Sequence, residues 1–342
     1  MRALVVDRFG LEHLRLTDVS APKLGPDDAR VRVRAASLNY RDLLVVRGEY
    51  DPRFPLPLIP CSDGAGVVTE VGENVARELV GTRVLPAMAP YWLSGAPNRA
   101  TLRRTLGGPL PGAAAEELVV PAAGLVSAPT HLSDVEAATL PCAALTAFRA
   151  LVELPGIEVS AEDARPLAGQ WVLCLGTGGV SLFALQIAQA LGAEVAVTSS
   201  DDAKLELAAR LGASLTINYR SVSDWGRSVR DATGGVDHVI EVGGPGTLPN
   251  SLKATRPGGT VSLIGTVSGR PGPLDLLPAV MNQLRLQGVY IGPRETLART
   301  AAFFERHRLR PHVHRTYSLE EGAEAFAELS RSAHAGKLCI TL

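Results

Sequence analysis

Residues 171–199 constrain this chain more than any other stretch. Trp171-Val172-Leu173-Cys174-Leu175 is a short apolar run of the kind that forms a strand buried on both faces. It leads into Gly176-Thr177-Gly178-Gly179-Val180-Ser181, then an apolar-periodic helix over 182–191 closed by Gly192. A second strand is expected over 194–199. The unit is a βαβ crossover whose turn reads G-x-G-x-x-S, a dinucleotide fingerprint with serine in place of the third glycine. Gly176 allows the tight turn and Gly178 lets a pyrophosphate approach the backbone. The helix opening near Val180 offers free N–H groups and a positive dipole end. A tight turn without a ligand would use the same glycines. The type and length of both flanks favour the cofactor.

The pattern continues downstream. Strands are expected at 214–218, 236–242, 260–265 and 286–291, with helices between them, notably over 201–211 and 224–232. Six strands alternating with helices imply an α/β fold with a doubly wound parallel sheet, which binds ligands at the carboxyl ends of its strands. At 342 residues the chain is long for one domain. Upstream, strands at 1–7, 29–36, 67–71, 83–85 and 117–120, separated by turns such as the one marked by Pro22, Gly25 and Pro26, describe a compact β-barrel-like domain. A helix over 143–153 joins the two, and the polar connection 154–169 carries no function we can name. The tail supplies two helices and a strand from Lys337 to Leu342 that returns to the first domain. The expected division is therefore 1–140 and 294–342 for a catalytic domain, and 141–293 for the nucleotide domain.

Composition excludes several classes. With 46% hydrophobic and 20% charged residues the chain can bury a sizeable core, and a net charge of −1 gives no reason to expect nucleic acid or an anionic membrane. No apolar run has the length of a membrane span, and the first residues lack the three-part form of a signal peptide. Cys61, Cys142, Cys174 and Cys339 lie far apart with no C-x-x-C pair, which argues against a disulfide framework and a cysteine-rich zinc lobe. These features describe a soluble cytoplasmic protein acting on a small molecule.

Four segments together carry a resemblance: Asn39-Tyr40-Arg41-Asp42, Ser62-Asp63-Gly64-Ala65-Gly66, Leu140-Pro141-Cys142-Ala143 through Thr146, and the nucleotide turn. Nearly the whole chain resembles the zinc-independent, quinone oxidoreductase-like branch of the medium-chain dehydrogenase/reductase superfamily. The resemblance implies a GroES-like β-barrel catalytic domain beside a Rossmann domain. Zinc-dependent relatives place cysteine where Asn39 stands, a His-Glu pair where Ser62 and Asp63 stand, and cysteine where Cys142 stands. Only Cys142 and Asp63 survive as ligand types, short of the roughly three that catalytic zinc needs. No cysteine lies between Pro86 and Gly112 for a structural zinc. No metal is therefore expected, and Cys142 reads as a small buried apolar residue. The long 91–112 connection, with Arg99, Arg103 and Arg104, is a candidate lid; its arginines read first as a solvated helix face, second as a contact for an anionic substrate tail.

Cofactor choice is read at the end of the second strand, where an NAD site carries Asp or Glu. Ser199 stands there. The spacing of Ser199, Lys204 and Tyr219 resembles the 2′-phosphate site of NADPH-dependent quinone reductases, with Arg331 a weaker fourth member. Asp201 and Asp202 read as helix caps. The resemblance also puts Thr146 near the nicotinamide ribose, and the nicotinamide against Val242, Ile264, Gly265, Ile291 and Gly292, where ordinary turn chemistry is the alternative. NADP(H) is the expected cofactor. Reducing an isolated ketone makes a localised alkoxide that calls for a Lewis acid or a positioned proton donor. A quinone or an α,β-unsaturated carbonyl yields a delocalised anion that a few hydrogen-bond donors stabilise. Asn39, Tyr40 and Ser62 are the candidates for that role, with Asp63 orienting them. Asn39 alone would read as a helix cap. The alternatives are an NADP-dependent alcohol/carbonyl oxidoreductase using Tyr40 or a relayed water, and a non-catalytic NADPH-binding scaffold or sensor. Relatives commonly pair the edge strand near 286–291, so a homodimer is expected.

Overall fold

A computed structural model describes residues 1–159, 165–267 and 274–342. The connection expected over 154–169 therefore lies partly outside the described residues. Two compact units are present, one of Met1–Leu145 with Ile291–Leu342, the other Thr146–Tyr290. The boundaries fall at 145/146 and 290/291 rather than 140/141 and 293/294, so Thr146 opens the second unit while Ile291 and Gly292 belong to the first. The first boundary lies inside a helical run, Asp134–Glu153, which is long and apolar enough to cross a membrane by length and composition; most of it is buried within the protein, as a core helix would be.

The second unit is a six-stranded sheet. Its strands lie in the order Leu215–Asn218, Glu194–Ser199, Trp171–Leu175, Val236–Glu241, Thr255–Leu263, Arg285–Gly288, with every neighbouring pair parallel. The order reverses direction at Trp171–Leu175, the first strand of the unit, and a ligand crevice forms at such a switch point. Val172, Leu173, Cys174, Val195, Val239, Ile240 and Val261 are almost wholly buried, which is why these strands read as unbroken apolar runs. The fifth strand begins at Thr255 rather than 260. Pro257, Gly258 and Gly259 read as a turn, yet they sit where the register against Val236–Glu241 shifts, and Gly258 takes the left-handed φ of +77°.

In the first unit the long strand Asp28–Ser37 is the organising element. It pairs antiparallel with Asp63–Val71, with Glu117–Pro121 and, near its end, with Lys337–Thr341. Cys339 lies opposite Ser37, so the tail closes this sheet. Two register shifts against Asp63–Val71 bend the ladder. The strand Asp63–Val71 starts earlier than its apolar alternation implies because Gly64 and Gly66 hide it. A Cβ at Gly66 would lie 2.1 Å from the Arg32 carbonyl oxygen, so glycine here serves close approach between strands rather than a turn. Three strands went unread in the sequence: Leu14–Asp18, Leu125–Ser127 and Val313–Ser318. The last keeps only Tyr317 buried, too little alternation to signal a strand.

Candidate active site

The Asn39–Asp42 motif opens the short helix Tyr40–Val46, with Asn39 at its N-cap. Asp42 is wholly buried and joins two segments: its carboxylate accepts from the Asn39 backbone N–H at 2.8 Å and from the Ser62 N–H at 3.0 Å. Burial raises its pKa, and Arg41 opposes the rise. Arg41 is itself buried, donating to the carbonyls of Leu106 and Gly108 and to Thr105 Oγ1. The motif is thus a three-way clamp on the helix opening at Asn39, the Ser62 segment and residues 105–108.

Asn39 does more with its side chain than cap. Its Nδ2 donates to Asp63 Oδ2 at 2.9 Å and to Ser62 Oγ at 3.2 Å, while its Oδ1 accepts from Lys337 Nζ at 2.6 Å. Lysine only donates and an ionised carboxylate only accepts, so the amide orientation is fixed. Ser62 and Asp63 are completely buried. Burial pushes Asp63 up to about 7, with Lys337 and Asn39 working against the shift. Cys61, immediately before them, holds φ at +72°, a left-handed conformation that costs a non-glycine residue about 1–3 kcal/mol. Its carbonyl accepts from the Ala113 N–H at 2.8 Å, which helps hold the strained turn that presents Ser62.

Of the four sequence candidates, Asn39, Ser62 and Asp63 form one hydrogen-bonded cluster. Tyr40, on the same helix opening, is 38% exposed. Both amide hydrogens of Asn39 are engaged within the cluster, with Ser62 Oγ and Asp63 Oδ2. Lys337 was read only as the head of a strand. Its signal was present: a lysine opening the otherwise apolar run Lys337-Leu338-Cys339-Ile340.

Zinc chemistry can be tested on these side chains. The positions compared with zinc ligands hold an amide, a hydroxyl, a buried carboxylate and Cys142, whose thiol burial raises far above its ordinary range. Among the described residues no three His, Cys, Asp or Glu side chains gather as a metal site would require. This donor set does not fit zinc.

The 91–112 stretch is anchored at both ends. Trp92 is buried and donates from Nε1 to the Gly95 carbonyl, its own carbonyl accepts from the Arg294 N–H, and Arg41 pins 105–108. The Arg104 guanidinium stacks on the Tyr91 ring at 3.4 Å. Only the middle, around the short helix Arg99–Leu102, presents an exposed face.

In the second unit the fingerprint turn is built as a cradle. Gly176 has φ +69°, and a Cβ at Gly176 or Gly178 would meet nothing within 4 Å. These glycines border open space, not packed protein. The helix Gly179–Ala190 has no side-chain cap on its first turn, leaving the N–H groups around Gly179 and Val180 to a ligand, with Thr177 buried beside them. Ser181, the substitute for the third glycine, donates from Oγ to the Leu175 carbonyl at 2.6 Å and ties helix to strand. The turn therefore fits a dinucleotide pyrophosphate.

Ser199 and Tyr219 meet at the carboxyl ends of adjacent strands, where the Tyr219 N–H donates to the Ser199 carbonyl at 3.0 Å. Ser199 Oγ accepts from the Asp201 N–H, and the Asp201 side chain accepts from the Lys204 N–H, the expected cap. Burial lowers the pKa of Lys204, with Asp201 opposing. Arg331 ends the helix Gly322–Arg331 of the first unit. Thr146 is buried at the start of the second unit, and Ile291 and Gly292 are buried in the first.

Glu241 was missed as well. Wholly buried at the end of its strand, it accepts on Oε1 from Gly243 N–H at 2.8 Å, Gly244 N–H at 2.9 Å and Thr247 Oγ1 at 2.7 Å, and on Oε2 from Ser251 Oγ. Its carbonyl also receives the Ile264 and Gly265 N–H groups. A Cβ at Gly265 would lie 2.5 Å from the Val242 carbonyl oxygen, so the Val242 and Ile264-Gly265 turns are pressed together around this one residue. A single charge ending an apolar strand just before Val242-Gly243-Gly244 was the available clue.

Comparison with known proteins agrees with this geometry. Residues 25–130 match the alcohol dehydrogenase GroES-like domain family, and residues 179–306 match the zinc-binding dehydrogenase family. A zinc-type alcohol dehydrogenase-like protein of Schizosaccharomyces pombe is 37% identical over 350 residues, covering 100% of this chain and 99% of its own. An acryloyl-coenzyme A reductase of Sulfurisphaera tokodaii is 28% identical, covering 99% of both chains. A solved structure described as an NAD-dependent alcohol dehydrogenase superposes with a TM-score of 0.89 at 34% identity, covering 100% of both chains. A GroES-like unit, a Rossmann unit and a dinucleotide cradle come together here in one chain, which belongs to the medium-chain dehydrogenase/reductase superfamily of NAD(P)-dependent oxidoreductases.

Proposed function

We propose that this chain is a zinc-independent oxidoreductase that reduces a conjugated carbonyl, a quinone or an α,β-unsaturated carbonyl, with NADPH. The observation that carries this reading is the cluster at Asn39, Ser62 and Asp63, which offers a fixed polar network and a donor set unsuited to zinc. Bound NADPH would supply the hydride. An α,β-unsaturated carbonyl would take it at the β-carbon and a proton at the α-carbon; a quinone would take a hydride and a proton to become the hydroquinone. Negative charge would develop on a carbonyl oxygen in either case. The Tyr40 hydroxyl, exposed at the helix opening, is the group we assign to hydrogen-bond that oxygen or relay the proton. Asn39, Ser62 and Asp63 hold the helix opening from behind.

The open turn at Gly176 and Gly178 would take the pyrophosphate, Ser199, Lys204 and Tyr219 the 2′-phosphate, and Val242, Ile264 and Gly265 the nicotinamide side. Absence of a carboxylate at position 199 favours NADP(H) over NAD(H). We also propose a homodimer in the cytoplasm. The edge strand Arg285–Gly288 follows a run in which Leu276, Leu277, Val280 and Met281 are 50–73% exposed, an apolar patch a second copy would cover.

The experiment is a panel of enones, quinones, ketones and aldehydes with NADPH and NADH, followed by loss of nicotinamide absorbance. Enones or quinones should exceed simple ketones by at least about tenfold in kcat/KM. The names of the alcohol dehydrogenase relatives favour a second reading, alcohol/carbonyl oxidoreduction. Faster ketone reduction would establish that reading instead. Tight NADPH binding with no turnover of any acceptor would identify a scaffold or sensor.

A further inference from the structure

The cluster around Asn39 contains a cation of the chain's own, Lys337. Lys337 is 3% exposed, and its ammonium donates to Asn39 Oδ1 and to the Leu38 carbonyl, each at 2.6 Å. It also lies 3.8 Å from Asp63 Oδ2. A buried ammonium is costly unless it is hydrogen-bonded and its charge is paired; here two hydrogen bonds and the Asp63 carboxylate serve. Asp63 Oδ2 in turn accepts from the Asn39 amide, so lysine, amide and carboxylate close a ring of three groups, each touching the other two. The ring draws on three distant parts of the sequence, the helix opening at 39, the strand start at 63 and the terminal strand at 337.

We infer that Lys337 is a positioning residue for hydride transfer: its ammonium locks the Asn39 amide and pairs with the buried Asp63 carboxylate. Its role follows from what surrounds it. An uncharged side chain at 337 could not hold the amide carbonyl, and Asn39 would then be free to rotate away from Asp63 and Ser62. The helix opening that carries Tyr40 would lose its register against the Ser62 segment. A positive charge in a water-excluded cluster also favours any anion forming nearby, whichever carbonyl is reduced. The inference rests on the oxidoreductase reading above but not on the choice of acceptor.

The test compares wild type with Lys337→Met, Lys337→Arg, Asp63→Asn and the double variant Lys337→Met/Asp63→Asn. Urea unfolding, NADPH Kd, and kcat and KM on the best acceptor of the wild type are measured for each. Lys337→Met should lower kcat by on the order of tenfold to a hundredfold, with NADPH Kd changed less than about twofold. It should also lower the unfolding midpoint, because Asp63 is left buried without its cation. The double variant should recover stability without recovering kcat, and Lys337→Arg should recover most of the kcat. Recovery of kcat in the double variant would reduce Lys337 to a counter-ion and overturn the inference. So would a loss confined to NADPH affinity. If the wild type reduced no acceptor, the proposed activity would fall on its own; the stability arm would still decide the linkage, because additive effects of Lys337→Met and Asp63→Asn would refute it.

Discussion

Replacing Glu241 separates hydrogen-bond geometry from charge. The carboxylate takes four donors, three on Oε1 and one on Oε2, in a site with no solvent exposure. Glu241→Ala removes the acceptor for all four. Thr247 has a second partner in the Gly244 carbonyl at 3.1 Å, so two or three donors bear most of the loss. At about 1–3 kcal/mol for each buried group left unsatisfied, the variant should lose roughly 3–6 kcal/mol. That is a large part of the 5–15 kcal/mol typical of a folded protein. Glu241→Gln should behave differently. Its amide oxygen can replace Oε1 for the three donors, and its nitrogen can face Ser251, whose hydroxyl turns to accept. Only charge assistance is lost, about 1 kcal/mol. Urea unfolding followed by tryptophan fluorescence measures both, since Trp171 and Trp225 lie in this unit and Trp92 in the other. NADPH titration should show Glu241→Gln within about threefold of wild type, and any folded Glu241→Ala at least about tenfold weaker, because the Val242 and Ile264 turns lose their anchor. Equal damage from the two substitutions would refute the geometric account. So would an alanine variant within about 1 kcal/mol of wild type.

Further outcomes can be checked independently. Asp63, held up to about 7 in the folded state, binds a proton between roughly pH 4 and 7 that the unfolded chain releases, so this group makes stability fall as pH rises through that window. His238, held down to about 4 by burial beside Ser262 Oγ, does the reverse between about pH 4 and 6.5; Asp63→Asn should therefore steepen the gain in stability with rising pH over pH 4–6.5, and an unchanged profile would contradict it. Lys204→Ala should weaken NADPH by about tenfold to a hundredfold and leave NADH almost unchanged; equal weakening of both cofactors in binding titrations would remove Lys204 from the 2′-phosphate site. Elemental analysis of protein purified without chelator should find well under one zinc per chain, and stoichiometric zinc would reverse the reading of Asn39 and Ser62. Val280→Asp should convert a dimer to monomer in light scattering, whereas a wild-type monomer at micromolar concentration would exclude the proposed pairing.

The nucleotide unit was legible because its signals are local. The strand Trp171–Leu175 and the turn that follows lie within a dozen residues, and parallel strands buried on both faces announce themselves as apolar runs. The catalytic unit was less so. Gly64 and Gly66 read as turn residues although they serve close strand packing, and Val313–Ser318 buries too little to alternate. The site followed the same division. The left-handed turn at Gly176 and the helix cap at Asp201 follow from their neighbours in sequence. Lys337 and Glu241 do not: the first acquires its role from residues some 300 positions away, the second from turns on two strands. Asn39 shows the limit clearly, since its residue type permitted a cap or a substrate donor, and its contacts with Ser62, Asp63 and Lys337 appear only in the fold.

The closing strand has a consequence for synthesis of the chain. Along the carboxyl-terminal end of Asp28–Ser37, one edge is covered by Cys339, Ile340 and Thr341 alone. A ribosome making this protein emits that edge well before its partner strand, with the whole nucleotide unit translated in between. Domains fold as they emerge, so the nucleotide unit can be complete while the catalytic sheet still waits. Lys337 arrives with the same final strand. A nascent chain can thus possess a finished nucleotide unit and still lack the ring around Asn39, so the catalytic unit assembles only after the nucleotide unit has emerged. Pairing across so long a sequence separation also makes this step slow, and the waiting strand edge is the surface a chaperone would need to shield.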